Sequence, residues 1–292
     1  MKNILITGAN GLIGREISRD LSQLDLNFHP VFRKKDSNNI KDKDCIYADI
    51  SEKDWTRKLP GKIDTVLHLA NSSQFREFPE GVDDVLNVNI RATIELLEWS
   101  RKVGVKKFIF TSTGNVYKNS KKKLTEDSPC LPDSMYAASK LSLEYFVEMY
   151  SAFFKTIILR PFGVYGNAQR HGLFHEIVNK VKTNKVITLN NGTGLKITPI
   201  HVSDASKAIL FLMNEYLMKE NHLVLNLASN EKTNVKKIAE MAAKRLEVKP
   251  IFDVNDIPNS SYLADISYLE KIWPEKKKLS LTEGIDMFVR RL

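Results

Sequence analysis

Thr7-Gly8-Ala9-Asn10-Gly11-Leu12-Ile13-Gly14 is the most informative segment of the sequence. It joins a short β-branched and apolar run, Lys2 to Thr7, to a segment, Leu12 to Leu24, whose residues Leu12, Ile13, Ile17, Leu21 and Leu24 fall on one side of a helix. A strand that ends in glycine and opens into a helix at the first βα junction points to nucleotide binding. The spacing is Gly-x-x-Gly-x-x-Gly rather than Gly-x-Gly-x-x-Gly, and the physical demands are the same. Gly8 permits the tight turn, Gly11 lets the backbone approach a pyrophosphate without a Cβ clash, and Gly14 lets the helix pack closely on the strand. The helix N-terminus then faces the phosphates with free N–H groups and a favourable dipole. Gly8, Asn10, Gly11, Leu12, Ile13 and Gly14 are therefore candidate cofactor contacts.

Outward from this turn, strand-like and helix-like segments alternate. Phe28 to Phe32, Cys45 to Ala48, Thr65 to Leu69, Lys107 to Ser112 and Thr156 to Leu159 read as strands, with long helices at Val82 to Val103 and Ser134 to Phe154. This rhythm predicts an α/β fold, a Rossmann-like doubly wound parallel sheet covered on both faces. After Pro161 the rhythm loosens. Helices are expected near Leu173 to Lys182, Ser203 to Glu215, Val235 to Arg245, Ile266 to Ile272 and Leu281 to Arg291, and strands near Val186 to Leu189 and Leu223 to Leu227. The expected division is a dinucleotide-binding domain over residues 1–162, with about 184–216 returning to it. A smaller C-terminal substrate-binding lobe takes residues 163–183 and 217–292. The loops Gly166 to Gly172, Asn190 to Lys196 and Asn255 to Tyr262 are candidate pocket walls.

The second strand runs into Arg33-Lys34-Lys35. A basic residue there can pair with a ribose 2′-phosphate, so Arg33 leans toward NADP(H) over NAD(H), unless it stacks on adenine or is merely solvated. Asp49 ends the third strand and either accepts from the adenine amino group or caps the turn before Glu52.

Bulk properties bound the partners. The chain has 292 residues, 42% hydrophobic, enough to bury a sizeable core. No apolar run is long enough to span a bilayer, and Met1-Lys2-Asn3 leads straight into the first strand with no leader pattern, so a cytoplasmic protein away from membranes is expected. The two cysteines, Cys45 and Cys130, sit in unrelated contexts, and no metal-ligand spacing is present. The net charge of +9 includes basic runs at residues 33–35, 121–123 and 276–278. They are far apart and lack interleaved aromatics, which argues for solvated loops rather than nucleic-acid binding.

The second anchor is Tyr136-Ala137-Ala138-Ser139-Lys140. A tyrosine and a lysine four apart share one helix face. A nearby ammonium stabilises phenolate, so the phenol can pass a proton near neutral pH, and the lysine can also hold a ribose. The preceding strand ends Thr111-Ser112-Thr113-Gly114-Asn115-Val116-Tyr117, which puts hydroxyls at the C-terminal end of a sheet strand, where open parallel sheets bind ligands.

With these pieces assembled, the chain resembles the extended short-chain dehydrogenase/reductases, the NAD(P)-dependent sugar epimerase/dehydratase family. The resemblance runs over essentially the whole chain. It is carried, in order, by the glycine turn, Asp49-Ile50, His68-Leu69-Ala70, Asn89 four before Thr93, the hydroxyl segment, Tyr136 with Lys140, Leu159-Arg160-Pro161-Phe162-Gly163-Val164-Tyr165-Gly166, and Ile200-His201-Val202-Ser203-Asp204. It implies that Tyr136 is the general acid/base, that Lys140 tunes it and binds the ribose, and that Thr113 hydrogen-bonds the reacting oxygen. It further implies that Ile50, Leu69 and Ala70 line the cofactor, that Asn89 supports the site from behind, and that Pro161 to Val164 border the nicotinamide. A nucleotide-sugar substrate and a homodimer built from the two long helices are implied in the same way.

Departures from the family narrow the reaction. The 4,6-dehydratases carry an Asp-Glu pair after the catalytic threonine, whereas this chain has Gly114 and Asn115, which argues against elimination of water. Gly163 stands where an Asn often contacts a substrate phosphate, and the segment before His201 offers Lys196 in place of an arginine, with Arg170 and His171 as further cations. Asn115, Gly163, Arg170 and Lys196 are thus the candidate substrate contacts, and no metal is expected. An epimerase with tightly held NAD and a keto-sugar reductase consuming NADPH both fit. The alternative of another class is a non-catalytic NAD(P)-sensing regulator on the same fold.

Overall fold

A computed structural model describes residues 2–24, 26–34, 44–167, 169–273, 275 and 278–290. Lys35, Lys276 and Lys277 of the basic runs, and Arg291 at the end of the last expected helix, lie outside the described residues. The chain divides into two compact units, one of residues 1–116, 130–160 and 206–225, the other of residues 117–129, 161–205 and 226–292.

The first unit is built on a seven-stranded sheet. In chain order its elements are β1 (Ile4–Thr7), α1 (Leu12–Gln23), β2 (Phe28–Phe32), β3 (Ile46–Tyr47) and β4 (Thr65–His68). Next come α2 (Val82–Asp84), a π-helical segment (Val85–Arg91), α3 (Ala92–Val103), β5 (Lys107–Thr111), α4 (Met135–Met149) and β6 (Lys155–Pro161). The spatial order is β3-β2-β1-β4-β5-β6-β11, where β11 is His222–Leu227. The neighbouring pairs from β3 through to β6 are parallel. The order reverses between β1 and β4, the switch point at which a doubly wound sheet opens a crevice. Ile4, Leu5 and Ile6 are fully buried, as are Phe108, Ile109 and Phe110 of β5, because helices cover both faces of the sheet.

The helix expected over Val82 to Val103 is instead three segments with a π-helical middle. Apolar periodicity registers one long helical face and does not report the extra residue per turn that a π segment inserts; such segments cluster at functional sites. Here the segment carries Val88 and Asn89, each 1% exposed. At the far end, α3 closes on Gly104 in the left-handed region, its N–H bonded to Arg101 O and Ser100 O.

The second unit holds β7 (Val164–Tyr165), α5 (Leu173–Lys182), β8 (Ile187–Asn190), β9 (Lys196–Ile197), β10 (Ile200–His201) and the start of α6 (Val202–Asn214). After β11 follow β12 (Thr233–Asn234), α7 (Val235–Leu246), β13 (Phe252–Asn255), β14 (Ser261–Tyr262), α8 (Ser267–Ile272) and α9 (Leu281–Val289). Small sheets β12-β9-β14, β13-β8 and β10-β7 replace one large one. Tyr165, Phe174, Ile177, Ile238, Ile285 and Phe288 form its core, with Tyr165 and Phe174 stacked at 4.1 Å. The two-residue strands escape periodicity analysis because alternation needs at least four residues to register.

Candidate active site and cofactor cleft

The switch point is a cleft of about 320 Å³ lined by Gly8, Asn10, Gly11, Val31, Phe32, Arg33, Ala48, Ile50, Leu69, Ala70, Asn71 and Val88. Seven of these, Gly8, Asn10, Gly11, Arg33, Ile50, Leu69 and Ala70, are candidates from the sequence; the other five carry no motif and come together only through the sheet. Gly8 has φ +72°, and a Cβ on it would lie 2.7 Å from Ala70 N and Leu69 C. A Cβ on Gly14 would lie 2.7 Å from Ala9 Cα, so the helix start packs directly on the turn. Leu12 and Ile13 form the first turn of α1, whose N-terminus has no side-chain cap. Its N–H donors are left for an anion. This glycine cradle, which any Cβ would fill, fits the pyrophosphate of a dinucleotide.

Arg33 Nε stands 3.8 Å from Asp49 Oδ2. Asp49 itself accepts from Ser51 N at 2.9 Å and Ser51 Oγ at 2.7 Å. Burial works against its charge, but the Ser51 bonds, with Arg33 and Lys34, hold the carboxyl below its usual range. Ala48 and Ile50 line the cleft while Asp49 is engaged in this local turn.

A second cavity of the same unit, about 710 Å³, is lined by Phe75, Arg76, Phe78, Asn115, Pro132, Asp133, Ser134, Met135, Tyr136 and Ala138. Ser134 caps α4, accepting from Ala137 N, and so sets Tyr136 in the first turn. Thr113, 6% exposed just beyond β5, accepts from Asn115 N at 3.2 Å and places its hydroxyl where it acts on the Tyr136 phenol. Burial pushes the phenol above its ordinary pKa, opposed by the Thr113 hydroxyl and by the charge of Arg76. Lys140, 2% exposed, donates to Thr111 O at 2.9 Å and lies 4.8 Å from the Phe110 ring. Burial pulls its ammonium down to about 7, against the charge of Glu144. Neighbours of the phenol that the sequence did not single out are Phe75, whose ring is 4.7 Å from Tyr136, and Arg76, whose guanidinium is 4.9 Å from the Phe75 ring.

Cleft and cavity are tied by a buried hydrogen-bond chain. Asn89 Oδ1 accepts from Ser72 N at 2.8 Å, and its Nδ2 donates to Ser139 Oγ at 3.0 Å. Ser139 Oγ in turn donates to Tyr136 O at 2.8 Å. Asn89 is thus absent from the cleft lining and braces the tyrosine helix. Thr93 Oγ1 donates to Asn89 O and so must accept from His68 Nε2, at 2.7 Å. His68 Nδ1 then accepts from Thr7 Oγ1 at 2.5 Å, and Thr7 Oγ1 accepts from Ala70 N at 3.4 Å. The directions are mutually consistent only for a neutral His68 carrying its proton on Nε2. Its pKa is pushed down to about 3 by burial, with Lys140 adding to the shift.

In the second unit, Gly163 has φ +68°, and its carbonyl accepts from Ile200 N at 3.4 Å. Pro161 and Val164 bound the same turn. Arg170 and His171 are exposed loop residues. Lys196 lines a cavity of about 720 Å³ with Lys121, Lys232, Lys237, Asn191 and Asn259 among its neighbours. The expected loops Asn190 to Lys196 and Asn255 to Tyr262 contribute to its walls; Lys121 comes from the basic run 121–123, read from the sequence as a solvated loop, and Lys232 and Lys237 carry no motif. Among the described residues no group of three or more His, Cys, Asp or Glu side chains converges, and no helix is long and apolar enough to cross a membrane.

The chain is similar to several known proteins. The dTDP-4-dehydro-6-deoxyglucose reductase of Escherichia coli is 24% identical, over 99% of this chain and 97% of its own length. The dTDP-D-glucose 4,6-dehydratase of Mus musculus is 27% identical, over 82% of this chain and 71% of its own. The solved structure of UDP-glucuronic acid 4-epimerase from Bacillus cereus, in complex with UDP-glucuronic acid and NAD, superposes with a TM-score of 0.88. It covers 99% of this chain and 98% of that one at 24% identity, a likeness of fold. The family model described as the NAD dependent epimerase/dehydratase family matches residues 4–228, from β1 through the glycine turn and the Tyr136 helix to the end of β11, and the chain belongs to that family.

Proposed function

We propose that the chain is an NAD(P)-dependent epimerase or ketoreductase of a nucleotide-linked sugar, with Tyr136 exchanging a proton with the reacting oxygen. The observation that carries this reading is Tyr136 in the lining of the 710 Å³ cavity, with the Thr113 hydroxyl acting on its phenol. Two hydroxyls from different elements meet beside a cavity, and one oxygen of a substrate alcohol or ketone can be held by both. A bound nicotinamide supplies the acceptance and return of hydride.

The chain's own residues do the remainder. The glycine turn and the α1 N-terminus hold the pyrophosphate. Arg33 meets the ribose 2′ position and favours NADP(H). Lys140 holds the nicotinamide ribose, and Pro161 and Val164 border the carboxamide. Thr113 orients the substrate oxygen while Tyr136 takes or gives the proton. Gly114 and Asn115 follow Thr113 with no carboxyl group, which supports epimerase or reductase chemistry over elimination. Lys196, with Lys121, Lys232 and Lys237, suits the phosphates of the substrate. Residues 117–129, 161–205 and 226–292 would serve as the substrate lobe. Tyr145, Met149 and Phe153, spaced by four along and just past α4, are 59%, 70% and 61% exposed and support a homodimer through that helix.

The test is Tyr136→Phe, assayed with a panel of nucleotide sugars and keto-sugars. Loss of a positioned acid/base lowers kcat by about 100- to 10,000-fold with NADPH affinity retained. Full activity of the phenylalanine variant refutes the reading, and unchanged biological activity in its absence of turnover points to the sensor.

A further inference from the structure

Beside Lys140 lies a charged cluster for which the proposed reaction gives no role. Glu144 stands one helical turn further along α4 and is 5% exposed, the only buried carboxylate of the first unit among the described residues. It accepts from Arg160 Nη2 at 2.6 Å and from Arg160 Nε at 3.1 and 3.2 Å. It also accepts from Ser112 Oγ, immediately before Thr113. Arg160, on β6, is 6% exposed. A buried ion pair is weak ground for stability, since desolvation of both charges offsets their attraction.

The surroundings of Lys140 give the carboxylate another use. The ammonium rests on the Thr111 carbonyl of β5 and the Phe110 ring, neither of which bears a full negative charge. His68 on β4 faces it and is neutral. Around Glu144, Arg160 on β6 is a cation, burial pushes His222 on β11 down, and burial pushes the Cys130 thiol up and keeps it protonated. The exposed Glu148, a further turn along α4, also acts on His222. Glu144 is the group that opposes the loss of the Lys140 proton.

We propose that Glu144 is a positioning residue whose buried carboxylate, pinned by Arg160 and Ser112, is the countercharge that keeps Lys140 an ammonium in the dry floor of the site. The inference rests on the reading of Lys140 as a ribose ligand of the cofactor. An ammonium is present below its pKa and lost as pH rises through it. Removing the nearby anion therefore moves that loss to lower pH.

The test is the dissociation constant of NADH and of NADPH, followed by nicotinamide fluorescence from pH 6 to 9. In the parent protein, binding weakens as pH rises through the Lys140 transition near 7. K140M removes the transition and gives a flat profile. E144Q moves its midpoint down by about one to two pH units, the effect of a unit charge one helical turn away at an interior permittivity of about 20. E144Q leaves Arg160 buried without a partner, so the double variant E144Q/R160M is measured alongside. It carries no orphaned cation, and the lowered midpoint persists in it. A parent-like midpoint in the double variant, with only melting temperature altered, overturns the inference and leaves the functional reading standing. A K140M profile that keeps the parent transition overturns both.

Discussion

His68 makes the fold of the first unit sensitive to acid by a calculable amount. Its ring is fully buried, with Nδ1 accepting from Thr7 and Nε2 donating to Thr93. Its pKa falls from 6.5 to about 3 on folding. The unfolded chain binds this proton at pH 6.5 and the folded chain does not, so the stability is fully present above 6.5 and lost as pH falls toward 3. Each pH unit in that window removes about 1.4 kcal/mol, which gives about 2 kcal/mol between pH 7 and pH 5 from this residue alone. Protonation also turns Nδ1 into a donor facing the Thr7 hydroxyl, which must then rotate away and loosen the link to Ala70 at the cleft. The assay is urea unfolding of the parent and His68→Gln at pH 5, 6, 7 and 8. Glutamine keeps one acceptor and one donor but takes up no proton, so its unfolding free energy should fall by about 2 kcal/mol less than the parent's over the same range. His201, which burial pushes down to about 4, titrates in both proteins and cancels. Equal pH dependence in the two proteins refutes a buried neutral His68.

Three further outcomes follow from the geometry. Gly8→Ala places a Cβ 2.7 Å from backbone at Leu69 and Ala70 with φ +72°, at a cost of about 2–4 kcal/mol and more than tenfold in NADPH affinity, whereas Gly61→Ala, with nothing within 4 Å, leaves both nearly unchanged in the same thermal-shift and binding assays. Arg33→Ser weakens NADPH by about tenfold while sparing NADH, read as a ratio of dissociation constants; an unchanged ratio removes the NADP(H) preference. Met149→Glu, on a face 70% exposed at that residue, leaves the fold intact and halves the mass by light scattering if α4 forms the dimer; a parent protein already monomeric excludes it.

The parallel sheet, the glycine turn and the Tyr136–Lys140 helix were legible in the order of residues alone. These rest on local rules: a fully buried run such as Ile4-Leu5-Ile6, glycines at three-residue spacing where strand meets helix, and side chains four apart on one face. α5, over Leu173–Lys182, follows directly from its periodicity. Which groups act on which became visible only once the chain was folded. Glu144, Arg160 and Ser112 come from three elements and meet only when β5, β6 and α4 pack together. The chain from Thr7 through His68 and Thr93 to Asn89 joins side chains of isolated residues that carry no pattern of their own. Charge placement is non-local for the same reason. Helical spacing puts Lys140 on the face of Tyr136, yet packing turns its ammonium toward Thr111 and Glu144, leaving Thr113 and Arg76 to act on the phenol. Dihedral preference and periodicity act along a few residues of chain, whereas burial and hydrogen-bond partnership depend on residues brought together from tens of positions apart, 61 for Thr7 and His68 and 32 for Ser112 and Glu144.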